Sequence, residues 1–247
     1  MKPALGSLTL GTIPRVAGTI TDRATLSLPA SDLAAQCDLV ELRLDLVGTD
    51  TPDWLQSCLA LEASGLPVLL TLRLAAEGGK WQQADKLRER FLRSALDAIS
   101  AIDVELNSDL SVSLGEYAAR KNKTVIVSHH NFSLTPPLAE LRAVVARIRR
   151  LPNAVPKIAT MVNTEADIRI LTDLLLAELP NPICVIGMGA AGAPTRTAFP
   201  AMGSCLTYGH LDKSSAPGQL SAAALVKALQ KSIPAYKRDF AARKKPA

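Results

Sequence analysis

Lys157 sits where a lysine most needs a chemical explanation. Its surroundings, Val155-Pro156-Lys157-Ile158-Ala159-Thr160-Met161-Val162, hold almost no other polarity, and an ammonium is costly to bury charged. Burial and neighbouring cations lower the proton affinity of a lysine, as a Schiff-base nucleophile requires, and Arg43 and Arg73 are the candidates for that push. Ser128-His129-His130-Asn131 closes another apolar run and supplies a histidine that could act as a base. Arg196 follows a glycine-rich stretch, Gly187 to Gly192, and could clamp a carboxylate bidentately. Together these residue types compose a lysine nucleophile, a histidine base and several arginines for an anionic substrate.

Further charges lie at or near the ends of apolar runs. Glu41, Arg43 and Asp45 alternate in Glu41-Leu42-Arg43-Leu44-Asp45, so in a strand all three point to one face. Arg73 is followed by Glu77-Gly78-Gly79, and Asp103 and Glu105 alternate in another run. Each also has a purely structural reading. A Glu–Arg pair can be an internal ion pair, Gly-Gly is a general turn signal, and Asp103 and Glu105 read as charges packed inside a barrel.

The elements that must position these residues are eight short apolar runs, rich in β-branched residues. They are Val16–Ile20, Leu39–Leu44, Val68–Leu74, Ala101–Leu106, Thr124–Val127, Lys157–Val162, Ile183–Ile186 and Cys205–Tyr208. Continuous apolar runs are the mark of parallel strands buried on both faces. Helical periodicity fills several of the gaps: Gln82–Ser100 with Leu87, Phe91, Ala95, Leu96 and Ile99 on one face, Pro137–Arg150, and Thr164–Ala177 behind a cap at Asn163 or Thr164. Eight such units in 247 residues predict a single α/β domain over residues 1–247, a (β/α)8 TIM barrel with chemistry at the C-terminal ends of its strands. Ser7–Leu10 precedes the first strand and is expected to form a short N-terminal β-hairpin with it across Gly11–Pro14.

The net charge of +5 is no argument for nucleic acid once it is located. Residues 231–247 carry six Lys and Arg against Asp239, and the rest of the chain balances at 22 basic and 22 acidic residues. The segment reads as a basic, frayed C-terminal tail. Aromatic residues are few and do not interleave with basic ones, so a base-stacking surface is not expected. Cys37, Cys58, Cys184 and Cys205 show no metal-ligand spacing and read as buried thiols in a reducing compartment. No apolar stretch approaches the ~18 residues of a membrane helix, and Met1-Lys2-Pro3-Ala4 lacks the apolar core of a secretory signal. A cytoplasmic protein without a membrane partner is the expectation.

In order along the chain, the motifs resemble those of the type I 3-dehydroquinate dehydratases, the Schiff-base enzymes of the shikimate pathway. The resemblance runs from about Pro14 to Gln230. Glu41-Leu42-Arg43-Leu44-Asp45 looks like the family's E-F/L-R-x-D strand, and Thr71-Leu72-Arg73 with Glu77-Gly78-Gly79 like its T-x-R…E-G-G segment. Ser128-His129-His130-Asn131-Phe132 is similar to S-x-H-D-F, which selects His130 over His129. Pro156-Lys157-Ile158-Ala159 matches the Schiff-base segment, Met188-Gly189 through Arg196 the M-G…S-R loop, and Ser215-Ala216-Pro217-Gly218-Gln219 the S-A-P-G-Q segment. Asn131 and Thr195 depart from the family's usual Asp and Ser, and neither change removes a reactive group.

The resemblance implies syn elimination of water from 3-dehydroquinate through a Lys157 imine, with His130 as base and Glu77 orienting it. Arg196 would bind the substrate carboxylate, and Glu41, Arg43, Arg73, Ser215 and Gln219 would hold the ring. It implies no metal, no cofactor, a small-molecule substrate and a homodimer. Two other readings stay open at this point: another lyase or aldolase using the same lysine on a phosphorylated carbonyl compound, and a non-enzymatic binding domain.

Overall fold

In the computed structural model, which describes residues 2–212 and 219–243, eight parallel strands hold the charged residues in one sheet. They are β3 (Arg15–Ile20), β4 (Leu39–Arg43), β5 (Val68–Thr71), β6 (Ala101–Glu105), β7 (Thr124–Asn131), β8 (Ala154–Met161), β9 (Cys184–Met188) and β10 (Leu206–His210), preceded by a hairpin of β1 (Ala4–Leu5) and β2 (Leu8–Thr9). Neighbours follow chain order from β3 to β9, and β10 pairs with β3. The Cys205 amide donates to the Ile183 carbonyl at 2.8 Å and brings the β9 and β10 ends together. The sheet is thus nearly closed, and surrounding helices make it a (β/α)8 barrel, as the eight apolar runs predict.

Two apolar clusters follow from the two faces of the strands. Outward-facing residues such as Val40, Leu42, Val68, Leu70 and Ile102 pack under the helices. Inward-facing Ala17, Leu39, Leu69, Ala101, Ile126 and Val155 fill the lower lumen. Leu5, Leu8 and Leu10 join this inner cluster and plug the N-terminal end of the barrel. The hairpin therefore pairs within itself, Leu5 against Leu8, and not with the first barrel strand as expected. β3 is already paired on both sides, so it has no edge to offer. Burial of each leucine contributes about 2 kcal/mol to closing the lumen floor.

The helix Glu165–Glu178 starts on a capping box formed by Thr164 and Asp167. The helix Asp85–Ala98 departs from its expected face. It buries Arg88, Leu92, Ala95 and Leu96, while Leu87 and Phe91 are only partly covered. Arg88 is drawn in because its guanidinium donates to the Leu72 carbonyl at 2.9 Å, to Ser108 Oγ at 3.1 Å and to Glu105.

The expected frayed tail is corrected by the helix Pro234–Arg243. Tyr236 and Phe240 are buried in the outer cluster, Asp239 pairs with Arg15, and Arg243 pairs with Asp38. Tyr236 also donates to Asp38 Oδ2 at 2.9 Å. Net charge concealed an apolar i,i+4 pair and an acid that together dock the segment at the N-terminal ends of β3 and β4. All four cysteines are buried.

Candidate active site

Side chains alternate along a strand, and laterally paired residues of a parallel sheet share a face. Lys157 on β8 pairs with Ser128 on β7, which pairs with Glu105 on β6. Two residues further along β7, His130 pairs with Ala159. Ser128, His130 and Lys157 therefore belong to the inward face, and His129 belongs to the outer one. Burial and the Arg147 guanidinium lower the His129 pKa, as an outward position beside the helix Leu138–Ile148 requires.

Lys157 is 6% exposed. Its Nζ donates to Asp103 Oδ2 at 2.9 Å, lies 4.0 Å from Glu41 Oε1, and sits 4.2 Å from the centroid of the Tyr208 ring. The nearest charged neighbour is thus a carboxylate, not the arginines expected from the sequence. Arg73 is occupied otherwise. Its Nη2 donates to Asp103 Oδ1 at 2.8 Å, and its Nη1 to Glu105 Oε1 at 2.9 Å and Ser128 Oγ at 2.6 Å. Ser128 passes a hydrogen bond on to Asp103 Oδ1 at 2.7 Å. Burial by itself would raise the Asp103 pKa, but Arg73, Lys157 and His130 outweigh it and hold the carboxyl well below its usual range. Burial also opposes the charge on Arg73, and Asp103, Glu105 and Glu41 outweigh it in turn. Every charge in this buried network has an opposite partner, which is what makes it tolerable.

Glu41 accepts from Thr19 Oγ1 at 3.0 Å and Thr71 Oγ1 at 2.8 Å, so it is fixed from both neighbouring strands. Arg43 ends β4 and donates through Nε and Nη2 to Asp45, at 2.9 and 2.8 Å. Asp45 lies beyond the strand, in the short helix Leu44–Val47, and also accepts the Lys80 amide at 3.1 Å.

His130 Nδ1 is 2.9 Å from Glu77 Oε2. Burial, then Arg73 and Lys157, push the His130 pKa well below 6.5, so the imidazole is neutral. Burial, then Glu105, push Glu77 up to about 7 against the pull of Arg73. Phe132 stacks on His130, with ring centroids 5.9 Å apart and planes 13° off parallel. The Gly78-Gly79 turn that presents Glu77 is forced by space. Gly78 has φ +76°, and a Cβ on Gly79 would lie 2.1 Å from the Arg73 carbonyl oxygen.

Arg196 lies in the helix Thr195–Met202 and donates from Nη1 to the Tyr208 carbonyl at 3.1 Å. Its Nε is buried and has no hydrogen-bond partner among the described residues. The glycine-rich stretch before it is the end of β9 followed by a short helix, Gly189–Gly192. A Cβ on Gly192 would meet the Gly187 carbonyl carbon at 2.4 Å, so close packing explains that glycine.

One pocket of about 170 Å³ collects nearly all the expected site residues. Lys157, His130 and Glu77 line it together with Glu41, Arg43 and Arg73, and Arg196 and Gln219 complete it from the far side. Ser215 lies outside the described residues. Sequence reasoning missed Tyr208 and Phe132 as walls, Asp103 as the partner of Lys157, and Arg88 behind Glu105. Only Asp103 had a signal, its alternation with Glu105.

A sequence model of the Type I 3-dehydroquinase family matches residues 16–233. The chain belongs to that family. A 3-dehydroquinate dehydratase of Thermodesulfovibrio yellowstonii is 35% identical over 213 residues, 85% of this chain and 92% of that protein. One from Methanosarcina barkeri is 33% identical over 238 residues, covering 92% and 98%. The crystal structure of a type I 3-dehydroquinate dehydratase from Clostridium difficile, with covalently modified comenic acid, superposes with a TM-score of 0.83 at 25% identity. That match covers 96% of this chain and 98% of the other. For this type I dehydroquinase, the barrel mouth is therefore the place to assign roles.

Proposed function

We propose the following division of labour for the family's reaction, dehydration of 3-dehydroquinate to 3-dehydroshikimate in the shikimate pathway. The observation that carries it is a buried lysine sharing one pocket with a histidine held by a glutamate. Lys157 Nζ attacks the C3 carbonyl, whose oxygen leaves as water, and the cationic imine becomes the electron sink. Nδ1 of His130 faces Glu77, which leaves Nε2 to take the proton from C2 and return it to the departing C1 hydroxyl. Water then hydrolyses the product imine and frees the lysine, so one water is lost overall. Arg196 clamps the substrate carboxylate, an assignment supported by its buried Nε. Glu41, Arg43, Arg73, Ser215 and Gln219 hold the ring in reactive geometry.

The single domain, the homodimer and the cytoplasmic location are also our inferences. Support for the location is four buried cysteines and, among the described residues, no helix long and apolar enough to cross a membrane. The homodimer is carried by the family resemblance, and sedimentation equilibrium checks it.

The test is intact mass after borohydride reduction with 3-dehydroquinate, with Lys157→Ala as control. A reduced adduct with the mass of the dehydrated product, absent in the variant, supports the assignment. Unmodified folded wild type would overturn it.

A further inference from the structure

We propose that the face of Tyr208 seats the positive charge of the imine formed at Lys157 Nζ. The proposal rests on the imine reading above. Tyr208 belongs to β10 and reaches Lys157 past the intervening β9, so the contact exists only because the barrel closes. Asp103 takes one donor direction of the ammonium at 2.9 Å, and the ring covers another at 4.2 Å from its centroid. Tyr208 is 5% exposed, so little water competes for the cation and a cation–π contact is strengthened.

The hydroxyl does not explain why an aromatic residue stands here. Tyr208 Oη is buried and has no hydrogen-bond partner among the described residues. What remains is the ring itself, which lines the pocket beside Lys157 and Arg196. The same residue's carbonyl accepts from Arg196 Nη1, so one position on β10 braces both the nucleophile and the anion clamp. Tyr208 is a positioning residue in this scheme.

The chemistry selects for such a wall. The lysine gives up one proton to free the lone pair that forms the C–N bond. That proton and a second N–H proton leave with the carbonyl oxygen as water, and the imine nitrogen carries the one positive charge. The carbinolamine before the imine and the enamine after C2 deprotonation are neutral. A π face therefore favours the imine over both of its neighbours.

The experiment is a graded substitution at position 208 in the full chain, read by borohydride trapping with 3-dehydroquinate. Tyr208→Phe keeps the ring and is expected to trap like wild type. Replacing Tyr208 by phenylalanines carrying one, two, three and five ring fluorines keeps the shape while draining the negative face. The trapped fraction is expected to fall stepwise, by roughly three- to thirtyfold over the series. Circular dichroism and thermal unfolding keep folding in view, and a purely packing role would not grade with fluorine count. A flat series with normal trapping in wild type overturns this proposal alone. No adduct in wild type removes the imine reading and this proposal with it.

Discussion

Asp103 on β6 reaches beyond β7 to meet Lys157 on β8, with 2.9 Å between Oδ2 and Nζ. The same carboxylate binds Arg73 through its other oxygen, so Lys157 and an arginine of the pocket share one buried anion. Asp103→Asn leaves that pair of cations without their charge partner. Unfolding free energy is expected to fall by about 3 kcal/mol in urea titration, since breaking a buried ion pair strands the remaining charges. Imine trapping should fall as well. Unchanged stability and unchanged trapping would show that the network does not depend on Asp103.

The two adjacent histidines differ in face, and hence in consequence. His130→Ala is expected to lower turnover about a thousandfold while still yielding a borohydride-trapped adduct, because the lysine remains and the base is gone. His129→Ala should turn over close to the wild-type rate. Steady-state kinetics on the pair decides the matter, and a crippled His129 variant would reverse the facing argument.

Glu77 makes a pH prediction. Its carboxyl is pushed up to about 7 by burial and Glu105, so protonation as pH falls through about 7 removes the acceptor that fixes the His130 tautomer. His130 itself is held well below 6.5 and stays neutral over that interval. The acid limb of kcat should centre near pH 7, and in Glu77→Gln it should move to lower pH with a plateau at least about tenfold lower. An unmoved limb would assign it to another group.

The same shift bears on stability. A carboxyl raised from 4.5 to about 7 binds its proton more tightly in the folded chain. That stabilisation is fully present below 4.5 and is lost as pH rises through about 7. Glu77→Gln should therefore raise the unfolding temperature relative to wild type more at pH 8 than at pH 5, as differential scanning calorimetry would read. The reverse ordering would contradict the raised value.

The C-terminal helix is anchored at the end of the barrel opposite the pocket. Phe240→Ala removes a nearly buried ring from the outer cluster and should cost about 3 kcal/mol by urea titration. Borohydride trapping by the folded fraction should be unaffected, because Arg15 and Asp38, which receive this helix, lie at the starts of β3 and β4. A variant as stable as wild type would mean that the helix is not a folded part of the domain.

What the amino-acid sequence determined by itself is local and ordered. Period-two alternation set Glu41 with Arg43 and Asp103 with Glu105 on common faces. Continuous apolar runs specified parallel strands, and the succession of motifs grouped Lys157, His130 and Glu77, the residues proposed to share one reaction. Alternation also parted His130 from His129, because a one-residue step crosses the sheet. Tertiary structure decided every partnership across intervening strands. Asp103 finds Lys157 and Tyr208 covers it only after eight strands have curved into a lumen. Arg88 becomes part of the site's support only because its helix packs over β6, where Glu105 and the Leu72 carbonyl just beyond β5 draw a charged side chain into an apolar face. The hairpin and the C-terminal helix follow the same rule. Closing the barrel leaves no strand edge for the first and creates a docking surface for the second. Neighbour relations along a chain are written in spacing, whereas relations across a barrel arise only when it closes.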